Sequence, residues 1–229
     1  MLDLMRKKEP KIATLETPLH ISDFATTGQG IGTLKSDLSI NQQIYTELSG
    51  VKVLLWNALP DELVTKFQVV AQKPHFIEGI ALEITKQSTS RVNPRDEQFL
   101  STSPWQILNE DAELTAKSRI LTSLFEHLGN THPISKQFTS KILVHKSPNN
   151  YFYRNKMEYS LYYNHETEKI QLAVHYRGSH RKMPIKKSSL ELPNILVRAN
   201  QIIDELNRTK QEARTFQSLL LRRGIRWIA

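Results

Sequence analysis

The sequence has 229 residues, 39% hydrophobic and 24% charged, which is enough apolar content to bury a core in one large domain or two small ones. It has no cysteine, so disulfides, zinc–thiolate sites, iron–sulfur clusters and cysteine nucleophiles are excluded within it. The formal net charge of +8 is uneven: residues 1–133 carry 13 Lys+Arg against 16 Asp+Glu, and residues 134–229 carry 18 against 7. Such asymmetry suggests that the second half meets a polyanion, the alternative being a solvated basic surface.

In chain order, residues 1–13 read as a tail with no apolar run after its charges, which argues against a secretory signal. No stretch approaches the roughly 20 apolar residues that cross a bilayer. A cytoplasmic protein without a membrane partner is expected. Residues 14–87 read as four or five short strands: 15–24, 51–55, 63–70 and 76–85, interrupted at Gly28-Gln29-Gly30-Ile31-Gly32. Strands at this spacing predict a small β-barrel. The glycines lack the following helix of a phosphate loop, and fit better as places where a barrel strand bends.

Residues 88–102 form a polar linker, and a helix is predicted next. Ser103 is its expected N-cap, with Pro104 at the first helical position and Gln106 closing a capping box. Leu114, Leu121, Leu124, Phe125 and Leu128 recur at helical spacing before a stop at Gly129-Asn130. From 138 onward strands return. Met157, Tyr159, Leu161 and Tyr163 share one face of a strand, and Ile170, Leu172, Val174 and Tyr176 one face of the next. Their short polar link predicts an antiparallel hairpin. Leu192-Pro193 opens a second helix with a stripe at Ile195, Ala199, Ile202 and Leu206, and 216–221 begins a last strand. The expected class is mixed α+β: an OB-like barrel, then a central α/β domain over 103–229 with an antiparallel sheet and two long helices.

The histidines form no metal-binding pair, and no catalytic acid–base pair stands out. The informative pattern is basic with interleaved aromatics: Tyr151-Phe152-Tyr153-Arg154-Asn155-Lys156, then His175-Tyr176-Arg177-Gly178-Ser179-His180-Arg181-Lys182, then Lys186-Lys187. Arginine and lysine neutralise phosphates, and tyrosine stacks on an unpaired base. The competing reading is a tyrosine core behind a solvated charged face.

At these residues the sequence resembles the RNA uracil-5-methyltransferases, which modify uridines in transfer and ribosomal RNA. Three blocks carry the resemblance. The first, Gly28–Gly32 with Ala58-Leu59-Pro60-Asp61-Glu62 and Ser90-Arg91-Val92-Asn93-Pro94-Arg95, is similar to a TRAM domain, an OB-like RNA-binding barrel. The second is Ser103-Pro104-Trp105-Gln106 with the segment to Gly129. The third is Tyr153-Arg154-Asn155-Lys156 with Gly178-Ser179-His180-Arg181-Lys182-Met183-Pro184-Ile185. The resemblance implies structured RNA as partner, with Arg154, Asn155 and Lys156 near the target nucleotide. It implies backbone contacts from Arg177, His180, Arg181, Lys182, Lys186 and Lys187, and weaker ones from Phe24, Lys35 and Lys52 on the barrel.

Two departures accompany it. Many members hold an iron–sulfur cluster on four cysteines. Here Asp96, Ser103 and Ser188 stand at three such positions and Thr102 near another, so a cluster-free variant is expected. The family's chemistry also uses a C-terminal domain binding S-adenosylmethionine, and a thiolate that adds to uracil C6. With neither a cysteine nor a glycine-rich strand-to-helix turn, the sequence implies no catalytic residue and no cofactor of its own. The expectation is an RNA-binding front portion, inactive alone, with the central domain incomplete at its C-terminus and the catalytic domain encoded separately or missing. A stand-alone adaptor and a non-functional gene fragment stay open as alternatives.

Overall fold

A computed structural model describes residues 10–46, 48–129, 144–209 and 215–224, without the side chains of 127–129. The chain divides into two compact units, Met1–Val92 with Ile107–His145, and Asn93–Gln106 with Lys146–Ala229.

The first unit carries β1 (Lys11–Phe24), β2 (Gly30–Thr33), β3 (Leu38–Ile40), β4 (Gln43–Tyr45), β5 (Lys52–Trp56), β6 (Leu63–Gln72) and β7 (Phe76–Lys86). Strands β2, β5, β7, β6 and β1 pair in that order, and β1 pairs back onto β2, which closes a five-stranded barrel. All of these pairings are antiparallel except β5 with β7, which is parallel. The OB-like barrel is therefore present. The hairpin β3–β4, not expected from the sequence, adds to the start of β1.

β1 pairs with β6 on both sides of a register shift between Thr14 and Leu19, with β3 through Ala13–Leu15 and with β2 through Ile21–Phe24. Pro18 lies in that break, where its missing N–H costs no ladder bond. Ala13 before the break, Leu15 within it, and Leu19 and Ile21 after it all enter the core. The glycine block does two jobs. Gly28 turns the chain at φ +89°. Gly30 and Gly32 lie in β2, where a β-carbon would stand 2.7 Å from the Ala58 and His20 carbonyl oxygens respectively. These glycines are explained by close packing inside the barrel.

A buried ion pair fastens one corner of this unit. Glu62 is fully buried and accepts from Leu59 N–H at 2.9 Å and Ser88 N–H at 3.1 Å. Arg91 binds both of its carboxylate oxygens, Nε at 2.6 Å and a terminal nitrogen at 2.8 Å. The same guanidinium reaches the Asn57 carbonyl at 3.0 Å, and Asn57 donates to the Ala81 carbonyl. Asn57 and Asp61 both adopt positive φ, which their short polar side chains tolerate.

The expected capping box at Ser103 is not formed. Pro104–Ile107 is a single 3-10 turn, and the long helix α2 (Glu110–Gly129) starts later. Asn109 caps it, its side chain accepting from Ala112 N–H at 2.9 Å. Gln106 instead donates to the buried Asp96 carboxylate at 2.9 Å, a stronger partner than a helix cap. Leu121, Leu124 and Phe125 remain over a third exposed, so the predicted stripe is incompletely covered among the described residues. The side chain of Leu128, and residues 130–143 where strands were expected to return, lie outside them.

The second unit contains the short helix α1 (Phe99–Thr102), β8 (Lys156–Asn164), β9 (Lys169–His175), β10 (Lys182–Pro184), α3 (Pro193–Arg208) and β11 (Ser218–Arg222). Its sheet runs β10-β9-β8-β11, with each pair antiparallel. The mixed α+β class and the antiparallel sheet are thus observed. Met157, Tyr159, Leu161, Ile170 and Leu172 face α3 as their alternation requires. On α3 the buried stripe is Ile195, Ala199 and Ile203, not Ile202, because four-residue steps keep a straighter line on the sheet. Asn207 ties the end of α3 to β9, accepting from Ile170 N–H at 2.8 Å and donating to its carbonyl at 3.0 Å. On β11, Leu219 and Leu221 pack against this core while Leu220 points outward.

Removing one member of a buried ion pair leaves the other charged, desolvated and unmatched. Arg91→Ala is therefore expected to lower unfolding stability by about 3–5 kcal/mol. Adding Glu62→Gln to it should cost much less than the sum of the two single changes. Urea denaturation of the full chain measures both, and an Arg91→Ala loss below about 1 kcal/mol would show the pair to be dispensable.

Candidate nucleic-acid interface

The strand registers gather cations at one end of the four-stranded sheet. Lys156, which opens β8, is opposite Arg222, which closes β11. Lys182, which opens β10, is opposite His175, which closes β9. The β8–β9 register brings the start of one strand beside the end of the other. Arg154, Lys156, Arg177, His180, Arg181, Lys182, Arg222 and Arg223 therefore belong to one end of the sheet. Sequence reasoning missed Arg222 and Arg223, because nothing in a linear reading sets them opposite Lys156.

These cations are not equivalent. Lys156, His180, Arg181 and Arg222 are exposed. Arg181 lies over the Tyr176 ring at 5.5 Å. Two arginines are held by the carbonyls of α1: Arg154 donates to the Thr102 carbonyl at 2.9 Å, and Arg177 Nε to that of Leu100. Burial lowers the Arg177 pKa from the ordinary guanidinium value. Lys182 donates to the Leu161 carbonyl at 2.8 Å, so its ammonium is already engaged within the sheet. Arg154 precedes β8 and does not lie within it; its backbone bridges to Glu191. Asn155 is exposed, and its carbonyl accepts from Arg223 N–H at 2.7 Å.

The remaining candidates lie elsewhere. Lys186 is exposed and lines a depression with Asn164, Lys169 and Asn200. Lys187 is exposed on a loop whose carbonyl accepts from Gln98 at 2.8 Å. On the barrel, Lys52 donates to Thr33 at 2.8 Å, and exposed Lys35 follows two residues after Thr33. Phe24 pairs with Gly30 at the other end of β2, so the barrel candidates do not converge.

Behind the cationic end is a buried polar network. Asp96 is 4% exposed and accepts from Ser189 N–H at 3.0 Å, Ser189 Oγ at 2.8 Å and Gln106 Nε2 at 2.9 Å. Gln106 Oε1 in turn accepts from the Arg95 and Asp96 N–H groups. Glu191, 1% exposed, accepts from Tyr159 Oη at 2.8 Å and Ser188 Oγ at 2.5 Å. Burial and the adjacent Glu191 carboxylate raise the Tyr159 pKa far above the phenol range, so Tyr159 stays a donor at any physiological pH. Among the described residues, no group of three or more His, Asp or Glu side chains is placed to hold a metal ion, and no helix is long and apolar enough to cross a membrane.

No protein-family model matches the chain. It is similar to the 23S rRNA (uracil(1939)-C(5))-methyltransferase RlmD of Stenotrophomonas maltophilia strain K279a, 25% identical over 159 residues, which are 69% of this chain and 32% of that protein. The protein of the same name from Xylella fastidiosa strain 9a5c is 32% identical over 106 residues, 45% of this chain and 22% of its own length. That from Xanthomonas euvesicatoria pv. vesicatoria strain 85-10 is 30% identical over 143 residues, 62% and 28% respectively. The chain is thus related to the RNA uracil-C5-methyltransferase family, and these matches span less than a third of each relative's length.

The groups that the resemblance implies do not fit the residues present. At the expected cluster positions, Asp96 and Ser188 are hydrogen-bonded oxygen side chains in the network, and Thr102 Oγ1 donates to the Gln98 carbonyl at 3.1 Å. Thiolates are what an iron–sulfur cluster needs. For S-adenosylmethionine, Gly28–Gly32 is consumed by barrel packing, and no glycine-rich turn joins a strand to a helix among the described residues. No chemical step is derived through either group.

The network predicts a local effect. Asp96→Ala strands three buried donors, so it should destabilise the second unit by about 2–4 kcal/mol. Hydrogen exchange reads this directly: the Ser189 amide should be protected in the wild type and exchange rapidly in the variant. Unchanged protection would show that Asp96 does not hold this loop.

Proposed function

We propose that this chain binds structured RNA and presents an unpaired uridine for C5 methylation, with methyl transfer carried out by residues not contained in this sequence. The carrying observation is the set of exposed cations, Lys156, Arg181 and Arg222, that strand register collects beside two immobilised arginines. The relatives' names supply the reaction and the RNA class. The absence of cysteine means the thiolate of that reaction comes from elsewhere. The barrel, read as a TRAM domain, adds RNA contacts of its own, and 103–229 acts as the central domain. Ribosomal or transfer RNA in the cytoplasm is the matching substrate and location.

The roles divide by how each cation is held. Exposed Lys156, Arg181 and Arg222 neutralise phosphates with little geometric preference. Arg154 is fixed by one N–H on the Thr102 carbonyl and keeps its other donors in a planar fork, suited to a base edge or a bent backbone. With about four to six phosphates neutralised, log affinity should fall with log salt at a slope of roughly −3 to −4. Replacing Lys156, Arg181 and Arg222 by alanine should flatten the slope by about 2 and weaken all RNAs alike. Arg154→Lys keeps the charge but loses the fork, so it should reduce discrimination between a uridine-loop hairpin and a plain duplex while leaving the slope unchanged. Anisotropy titrations across salt concentrations measure both variants; a triple variant with the wild-type slope would make the basic end merely a solvated surface.

A further inference from the structure

We propose that Phe152, backed by Arg95 and Tyr151, is a stacking platform for one unpaired base; this rests on the RNA-binding reading above. The first observation is conformational. Phe152 has φ +55°, a left-handed backbone that a β-carbon disfavours and that glycine or asparagine would adopt at lower cost. Backbone hydrogen bonds hold it there: Phe152 N–H donates to the Ser189 carbonyl at 2.8 Å, and Arg154 N–H to that of Leu190 at 2.9 Å. The second observation is exposure. Phe152 is 42% exposed and belongs to neither hydrophobic core, so burial does not account for a large ring at a strained position. Strain of this kind that burial does not explain points toward a contact made on the outside.

The third observation identifies that contact. Arg95 Cζ lies 4.5 Å from the Tyr151 ring centre and 5.7 Å from that of Phe152, a cation shared between two rings. Arg95 is itself exposed, and its own N–H is fixed on Gln106. Tyr153, 49% exposed, continues the aromatic surface toward Arg154. Flat rings edged by guanidinium groups match a nucleobase with its flanking phosphate, because every base has a π face and every linkage a negative charge. A purely apolar partner would leave Arg95 and Arg154 without an anion. The platform is also rigid, since Tyr151–Arg154 is clamped on residues 189–192 and Arg95 on the Asp96–Gln106 pair.

The test uses the full chain and a hairpin RNA carrying 2-aminopurine at one unpaired loop position, with a blunt duplex as comparison. Binding by the wild type should quench the loop fluorophore. Phe152→Asn, which suits the left-handed backbone, should melt no lower than the wild type, yet bind the hairpin about 5- to 150-fold more weakly and without quenching. Its duplex affinity should change less than twofold. Phe152→Trp should keep the quenching, and Phe152→Leu, apolar without a ring, should lose it. Phe152→Asn with wild-type hairpin affinity and quenching overturns the platform. Equal losses on hairpin and duplex together with a lower melting temperature assign Phe152 to folding and also overturn it. If the wild type binds neither RNA at low salt, the RNA-binding reading fails, an outcome distinct from a bound RNA indifferent to Phe152.

Discussion

A carboxylate withdrawn from water must have its lone pairs satisfied, and Asp96 satisfies them by drawing two distant segments together. Its three donors come from Gln106 and Ser189, the latter 93 residues further along the chain. Once Ser189 is fixed, the carbonyls of 189 and 190 are set where Phe152 and Arg154 bond to them, and Leu192 N–H returns to the Arg154 carbonyl. Gln106, oriented by the carboxylate, holds the backbone beneath Arg95. Every residue proposed to meet a base thus depends on this one buried acid. Glu191 extends the same solution inward, anchoring Tyr159 in the middle of β8.

The two units bury their acids differently, with different consequences. In the barrel unit, Glu62 takes a guanidinium, and Arg91 is spent on it and on Asn57. In the second unit Asp96 and Glu191 take neutral donors: hydroxyls, an amide and a backbone N–H. The arginines adjacent to that network are left to face outward, or to lean on carbonyls that do not neutralise them. Because neutral groups satisfy these acids, no guanidinium among the described residues of the second unit is spent on Asp96 or Glu191, and the donors of Arg95 and Arg154 stay open to other partners.

Local periodicity made much of this legible. Alternation in β6 to β9 and the 195–199 stripe of α3 follow from side chains reporting which face is buried, and a strand or helix repeats that report over several residues. The Glu62–Arg91 pair was half legible: both residues stand in quoted motifs, but only closure of the barrel shows why they occur together. Illegible were the features set by long-range pairing. Ser103-Pro104-Trp105-Gln106 has the composition of a capping box, yet Gln106 answers to a carboxylate ten residues earlier, not to a helix end. Ile203 displaced Ile202 because the direction of the sheet beneath α3 is not encoded in α3. Arg222 joined the cationic end through register alone, and the positive φ of Phe152 arises from bonds to residues 189 and 190.

The way each cation is held also bears on affinity and specificity. A mobile exposed lysine contributes to affinity through counterion release and follows any phosphate path. A guanidinium pinned at one N–H cannot follow; it accepts only partners that arrive in its plane, and so contributes discrimination more than strength. The second unit places both kinds at one end of its sheet, with Lys156 two residues from Arg154. A duplex can satisfy the mobile set alone. Under the proposal made above for Arg154 and Phe152, only an RNA whose chain bends to expose a base would engage that arginine and the aromatic turn before it as well. On the proposed RNA-binding reading, selectivity for an unpaired base would follow from the rigidity conferred by Asp96, since a loop free to move would let the pinned arginine serve any phosphate and erase the distinction.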